Sequence, residues 1–504
     1  MAILHTLLPN AMTDVAIIGA GMAGLSAAAL LAQAGQRVQV LEANWLAGGC
    51  AGSYPRRGYV FEAGATTLMG LEPHQPLGIL YRQLGLQPPV VPLQLPMTVW
   101  HGATPIHRYT DREQALHALI QVYGQAEKQR KLWSHLWALD ELVWQASGRN
   151  LRFPPQALGD YVQLLQQNDP RNLPRLRWAF VSTAQQLHRL GLSAQFRRYV
   201  DAQLLITAQS PATGVPLLFA APALCYTQSP NYYVPGGMWK LAQQLVGYLA
   251  HRQGQVQLRQ QVVAIAPRQG HWQLHTRGVG GRHQVLQARR ILSSLPIWNL
   301  PSLLPEAHRG WAAALAASEP HYWAAYTLGL VVEDKLPADL ALHHQLILAE
   351  PLPHTGSHTL FASLSMRGDL ERAPEGQRVI ALSTHTRAAD WQGLDPATYQ
   401  ARKTELCNAI LQALRSTLPG LAEACVVQQT ASSPLSWEKW TYRHQGTVGG
   451  LPQRMDRSLL AWQGCTTPLP GLYLCGDTVY PGQGIPGVVL GGIIAARRIL
   501  EETI

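Results

Sequence analysis

Apolar runs in the chain change period abruptly between residues 14 and 49, and this change lays out its first elements. Val15 to Ile18 are consecutive apolar residues, which predicts a short buried strand. The turn Gly19-Ala20-Gly21-Met22-Ala23-Gly24 follows at once. An alanine- and leucine-rich run then predicts a helix to Ala34, ended by Gly35. Val38 to Leu41 predict a second strand with Glu42 at its tip. A strand, a G-x-G-x-x-G turn, a helix and a second strand in this order form a dinucleotide-binding unit. Gly19 permits the tight turn, Gly21 lets a pyrophosphate approach the backbone, and Gly24 lets helix and strand pack closely. The start of the helix, at Met22 and Ala23, offers N–H groups and partial positive charge to phosphate. Glu42, followed by Ala43, stands where a carboxylate can accept hydrogen bonds from the ribose of an ADP moiety.

Beyond this unit the pattern alternates between two textures. A glycine-rich turn with Gly48 and Gly49 leads to a strand, GYVFE, that ends in the small-residue turn Gly64-Ala65-Thr66. Residues 72–200 carry helical patterns, for example 112–126 and 132–144. Trp133, Trp137 and Trp144 share one helical face there, read as a core stripe in preference to the wall of an apolar tunnel. At Tyr233-Val234-Pro235-Gly236-Gly237-Met238 the first texture returns. A helix (239–250) and strands at 256–258, 261–265, 272–275 and before Ser293 are expected, with RGVGGRH (277–283) as a hairpin turn. Residues 301–436 predict strands at 324–332, 359–365 and 379–384 and a helix at 399–416. A last strand reaches Gly476-Asp477, and Pro481-Gly482-Gln483-Gly484-Ile485-Pro486-Gly487 opens a final helix.

Composition changes the picture in three ways. The chain has 504 residues, enough for more than one core, and its charged fraction is 14% against a usual ~25%. The net charge of +10 fits an anionic partner. Basic residues are dispersed in pairs such as Arg56-Arg57 and Arg497-Arg498, which argues against nucleic acid and leaves an anionic membrane surface or a solvated basic face. The six cysteines show no CxxC or metal spacing; reduced thiols of a cytoplasmic protein are expected, with no metal site. Residues 1–11 lack a basic start, so Met12 is expected to be the natural start. Residues 202–239 and 478–496 are uncharged, but prolines and glycines interrupt both, so neither is read as a spanning helix.

Together, the fingerprint, the Gly-Gly turn, RGYVFEAGA, YVPGGM, WTYRHQGTVGGLP and LYLCGD…PGQGIPGV resemble the bacterial-type carotenoid desaturase and isomerase family of the amine oxidase superfamily. The resemblance covers both ends and the middle return and is weak over the two excursions. It implies an α/β fold: a Rossmann-like FAD-binding domain of the amine oxidase type with an inserted α+β substrate domain. The expected divisions are a tail (1–11), FAD-binding segments 12–100, 229–300 and 456–504, and substrate-domain segments 101–228 and 301–455. It implies FAD held by Gly19, Gly21, Met22, Ala23, Gly24, Glu42, Ala43, Gly48, Gly49, Gly64, Ala65, Thr66, Val263, Gly476, Asp477, Gly484, Ile485 and Pro486. In relatives the N-terminus of the last helix points at the pyrimidine end of the flavin. Arg443 and His444 are the catalytic candidates, in the loop expected near the flavin. Two positions depart from the family pattern: Cys50 stands where a basic or hydroxyl residue is common, and Glu62 where aspartate is common.

The implied reaction is desaturation of a carotenoid or other polyene by hydride transfer to flavin, with a lean towards the 3′,4′ position, or flavin-dependent cis–trans isomerisation. Only one full strand–turn–helix–strand nucleotide unit is present, so quinone or oxygen is the expected electron acceptor. A flavin amine oxidase or polyene saturase, and a prenyl-binding escort-like protein without flavin chemistry, are the alternatives. Peripheral, monotopic association with the cytoplasmic side of an anionic membrane is expected. Residues 202–239, with Leu217 and Leu218 near their centre, would dip into one leaflet; burial beneath the FAD domain is the other reading.

Overall fold

Parallel strands buried on both faces need helical crossovers, and helices Met22–Gln33 and Trp239–Ala250 each lead into a parallel strand of the first sheet. The computed structural model describes residues 12–149, 151–252, 254–457 and 459–502, so the tail expected over 1–11 lies outside the described residues. Strand Thr13–Ile18 is wholly buried and pairs in parallel with Val38–Glu42 on one side and His283–Ser293 on the other. Helix Met22–Gln33 crosses between the first two strands. Gly254–Leu258 extends the sheet beyond Val38–Glu42. Strand His283–Ser293 does two jobs. Its first half closes an antiparallel meander with Gln261–Arg268 and His271–Arg277, and its last residues pair with Leu472–Leu474. RGVGGRH turns that meander, as its glycines require.

Helix Ile485–Glu501 lies against Met22–Gln33 with small residues between them: a Cβ added to Gly492 would stand 2.5 Å from Ala23 O. The first core forms around this crossing, with Leu25, Leu31, Val489 and Ile493 fully buried.

The substrate domain is a second sheet flanked by helices. Its strands run in the order Val426–Ser432, Trp323–Glu333, Gln377–Thr386, Thr359–Leu364, His343–Ile347, Met97–His101, Thr104–Arg108. The expected division at residue 100 falls inside Met97–His101, which belongs to this second sheet and pairs in parallel with His343–Ile347. Helices Ala126–Arg149, Ala194–Ala208 and Leu217–Cys225 form its other core. Trp133 is fully buried there, while Trp137 and Trp144 are half-buried; Trp137 Nε1 donates to Gln228 Oε1 at 2.6 Å.

The expected membrane-dipping stretch is corrected by this packing. Leu217 and Leu218 are buried among Phe196, Tyr199 and Trp133, so the uncharged run is core of the helical layer. A run without charges marks burial, and here other helices of the chain provide it. Among the described residues no helix is long and apolar enough to cross a membrane.

Candidate functional site

The dinucleotide turn is shaped by what a side chain would strike. A Cβ added to Gly24 would lie 2.3 Å from Gly19 O, so helix and turn touch backbone to backbone. At Gly21 the same atom would meet nothing within 4 Å. The turn is therefore closed towards the protein at Gly24 and open at Gly21, as a cradle for a ligand must be. Gly21 caps helix Met22–Gln33 with no side-chain acceptor, so the N–H groups of its first turn are left for an anion. Gly48 and Gly49 back the turn: Gly48 N donates to Ala20 O at 2.8 Å, and a Cβ on Gly49 would stand 3.2 Å from Gly21 Cα. Ser294, which the sequence pattern shows only as a strand end, braces the turn from below through its Oγ to Ile18 O (2.9 Å) and Gly19 O (3.1 Å).

Glu42 accepts Ala20 N at 2.7 Å and Asn44 N at 2.8 Å. Burial pushes its carboxyl above the ordinary range, opposed by these two backbone donors. Ala43 lies between those anchors. Val263 sits at the bulge where the Gln261–Arg268 strand slips register, and Gln260 N donates to Glu42 O at 2.8 Å. One end of the site thus gathers Gly19, Gly21, Met22, Ala23, Gly24, Glu42 and the Val263 hairpin.

The other end is built from three distant segments. Ala65 N donates to Cys50 O, and Gly64 lies so close that an added Cβ would be 2.9 Å from the same oxygen. Thr66 Oγ1 accepts Ser363 Oγ at 2.7 Å, and Ser363 in turn shares a 2.8 Å hydrogen bond with His343 Nδ1. His343 is buried, and burial lowers its pKa to about 4, so the ring is neutral at neutral pH. Gly476-Asp477 follows the strand Leu472–Leu474, and a Cβ on Gly450 would strike Asp477 O at 2.1 Å. The loop carrying Arg443 therefore folds onto Asp477, and Arg443 pairs with it at 2.6 Å while its Nε donates to Thr447 O. Burial pushes the nearby Cys50 thiol up, against the pull of the Arg443 guanidinium.

His444 stands apart from this pair. Its ring is edge-on to Tyr322 at 6.1 Å and its backbone N donates to Asn299 Oδ1. Gly484, at φ +79°, caps helix Ile485–Glu501 without a side-chain acceptor, and Pro486 packs its ring against Gly70. Glu62 is a clamp: it accepts Ser53 Oγ and Met238 N and pairs with buried Arg372 at 2.9 Å, tying RGYVFE to YVPGGM.

A family model for flavin containing amine oxidoreductases matches residues 22–500. The chain belongs to that family. It is 27% identical to the chloroplastic prolycopene isomerase of Arabidopsis thaliana, over 98% of this chain and 83% of that one. It is 23% identical to the all-trans-retinol 13,14-reductase of Rattus norvegicus, over 97% and 86%. It is 24% identical to the 4,4′-diapolycopene oxygenase of a Methylomonas species, over 97% and 98%. Among solved structures, cyclohexylamine oxidase of Brevibacterium oxydans shares the fold with a TM-score of 0.59 at 17% identity, covering 98% of this chain and all of that one.

The protein is thus an FAD-dependent oxidoreductase, and the expected Rossmann-like FAD domain with an inserted α+β substrate domain is the observed fold. The site fits the cofactor. Two helix N-termini without side-chain caps, an open face at Gly21 and a carboxylate at the strand tip are what a flavin dinucleotide requires. Glu42→Gln should weaken FAD by about 1–3 kcal/mol, the scale for losing a charged acceptor. Its new NH2 would also face a backbone donor, Ala20 N or Asn44 N. Titration of the apoprotein with FAD checks this; an unchanged affinity refutes the role of Glu42.

Proposed function

We propose that this oxidoreductase acts on a carotenoid or similar polyene, as an isomerase or a desaturase. One observation carries the reading. Similarity over at least 97% of the chain, both substrate-domain excursions included, runs to proteins named for polyenes. The interior supports it: Phe153 and Tyr480 rings lie 4.7 Å apart, Tyr480 and Trp462 6.2 Å, and Trp462 and Phe219 6.5 Å. This aromatic row runs from Phe153 to Phe219, and its second ring, Tyr480, stands just before the turn that opens helix Ile485–Glu501; aromatic rings of this kind suit a conjugated chain.

When bound, FAD supplies a two-electron acceptor, or in its reduced form a donor, for hydrogen movement on the polyene. The chain's own residues bind and orient. The uncapped start of Ile485–Glu501 stabilises negative charge placed before it. The Arg443–Asp477 pair fixes the loop that packs through Gly450 onto Asp477. The 3′,4′ end-group desaturation suggested by the GGCAGSYPRRGYVFEAGATTLMGLEP segment is the finer form of the desaturase reading, with quinone or oxygen as acceptor. Expression in hosts that accumulate different carotenes, with pigments separated by chromatography, tests the proposal. Isomerised or further desaturated carotenes are expected. Unchanged pigments in every host, with holoprotein present, would refute it.

A further inference from the structure

Helix Leu158–Gln167 is inside out. Leu158, Tyr161, Val162 and Leu165 recur at helical spacing, within a sector roughly 100° wide, and are 86%, 43%, 53% and 68% exposed. The opposite face is polar and turned to the protein. Asp160 is buried there, accepting Gln156 N and Ala157 N, and pairing with Arg498 at 2.9 Å. A helix held only by burial of its apolar side would be turned the other way. The next segment repeats the pattern, with Leu173 and Leu176 exposed among Arg171, Arg175 and Arg177 and Phe180 exposed just after them.

Beside the helix lies a cleft of about 60 Å³ lined by Arg149, Arg152, Arg497 and Arg498, with Gln163 and Gln167 from the helix itself. Glu501 is the carboxylate in the lining, and Arg152 pairs with it at 3.1 Å and with Asp160 at 3.7 Å. Arg152 and Arg498 are committed to these pairs. Among the described residues Arg149 and Arg497 make no ion pair, so the cleft keeps an excess of positive charge.

We propose that this face docks the protein on an anionic lipid bilayer. Leu158, Tyr161, Val162 and Leu165 enter the acyl boundary, and headgroup phosphates meet the arginines of the cleft. Charge decides between a bilayer and a second copy of the chain. A two-fold contact would set one arginine rim against the same rim of the partner, whereas an anionic surface attracts both.

The place in the fold gives the docking a consequence. Arg497 and Arg498 belong to the last turns of Ile485–Glu501, so the surface is fixed to the flavin domain. Phe153, five residues before the helix, begins the aromatic row that reaches Tyr480. On the polyene reading above, docking sets the outer end of that row at the lipid; the docking itself stands without that reading.

Flotation of the FAD-loaded protein with vesicles tests it. Binding to phosphatidylcholine vesicles containing phosphatidylglycerol is expected at low salt, with a fraction retained at about 0.5 M salt, where charge is screened. Leu158→Ser with Leu165→Ser should abolish flotation and leave flavin absorbance and melting unchanged. Arg149→Gln with Arg497→Gln should lower affinity for the anionic vesicles about tenfold or more and leave binding to phosphatidylcholine alone unchanged. In a Cys425→Ser background, an environment-sensitive dye on Val162→Cys should shift to the blue when anionic vesicles are added. Wild type left at the bottom of the gradient, an unshifted dye, or leucine variants that float normally would each overturn the proposal. So would self-association in sedimentation that the leucine variants abolish, without flotation, since that outcome assigns the face to a second copy.

Discussion

Gly21→Val is expected to yield a folded protein that purifies colourless. The open space at Gly21 accepts the new side chain in the apoprotein, since nothing lies within 4 Å of its Cβ, but that space is where the pyrophosphate must approach. Loss of FAD affinity should be about a thousandfold or more, or ~4 kcal/mol. Gly24→Val should behave differently. Its Cβ would strike Gly19 O at 2.3 Å and Ile17 at 3.2 Å, so the damage falls on folding itself. Overpacking of this kind costs about 1–3 kcal/mol, and more where backbone is struck. Far-ultraviolet dichroism, melting and flavin absorbance on the two variants separate the effects. A Gly21→Val protein holding stoichiometric FAD would contradict the assigned site.

Arg443→Ala should be the most damaging change outside the glycine turn. Arg443 and Asp477 are 12% and 14% exposed, and removing the guanidinium strands the carboxylate against the Gly449-Gly450 loop. Breaking such a buried pair from one side costs about 3–5 kcal/mol. Asp477→Asn added to Arg443→Ala removes the stranded charge and should restore part of the loss. The double-mutant cycle therefore reports a coupling energy well above that of an exposed pair. Flavin content should follow stability in this series, because the pair holds the loop against Asp477, next to Gly476 in the chain. An Arg443→Ala protein with wild-type melting and flavin content would refute this role.

The nucleotide end of the site was legible because its chemistry is local. Gly19, Gly21, Gly24 and Glu42 lie within one β-α-β unit, where glycine spacing and apolar period state the geometry directly. Residues 97–108 read as part of a helical region, yet they form the hairpin Met97–His101 and Thr104–Arg108. Met97–His101 pairs with His343–Ile347, far along the chain, so no local pattern records its partner. The Thr66–Ser363–His343 chain and the bracing of the turn by Ser294 escaped for the same reason.

Hydrophobic pattern reports that a residue avoids water, but not what covers it. The uncharged 202–239 run contains buried Leu217 and Leu218, while Leu158–Gln167, an ordinary amphipathic pattern by spacing, turns Leu158 and Leu165 outward. Arg443 and His444 are neighbours in one motif, but only Arg443 reaches Asp477, because backbone direction and not sequence adjacency sets where each side chain goes.

The most direct test of the account is product analysis with purified holoprotein. Acyclic carotenes in vesicles, incubated with the protein in its oxidised state and, without oxygen, in its reduced state, are separated by chromatography beside putrescine and cyclohexylamine assays. The account predicts a carotene altered in double-bond geometry or number, dependent on bound FAD and absent with Gly21→Val, and no amine turnover. Carotenes unchanged in both redox states, with a primary amine oxidised by the same preparation, would contradict it.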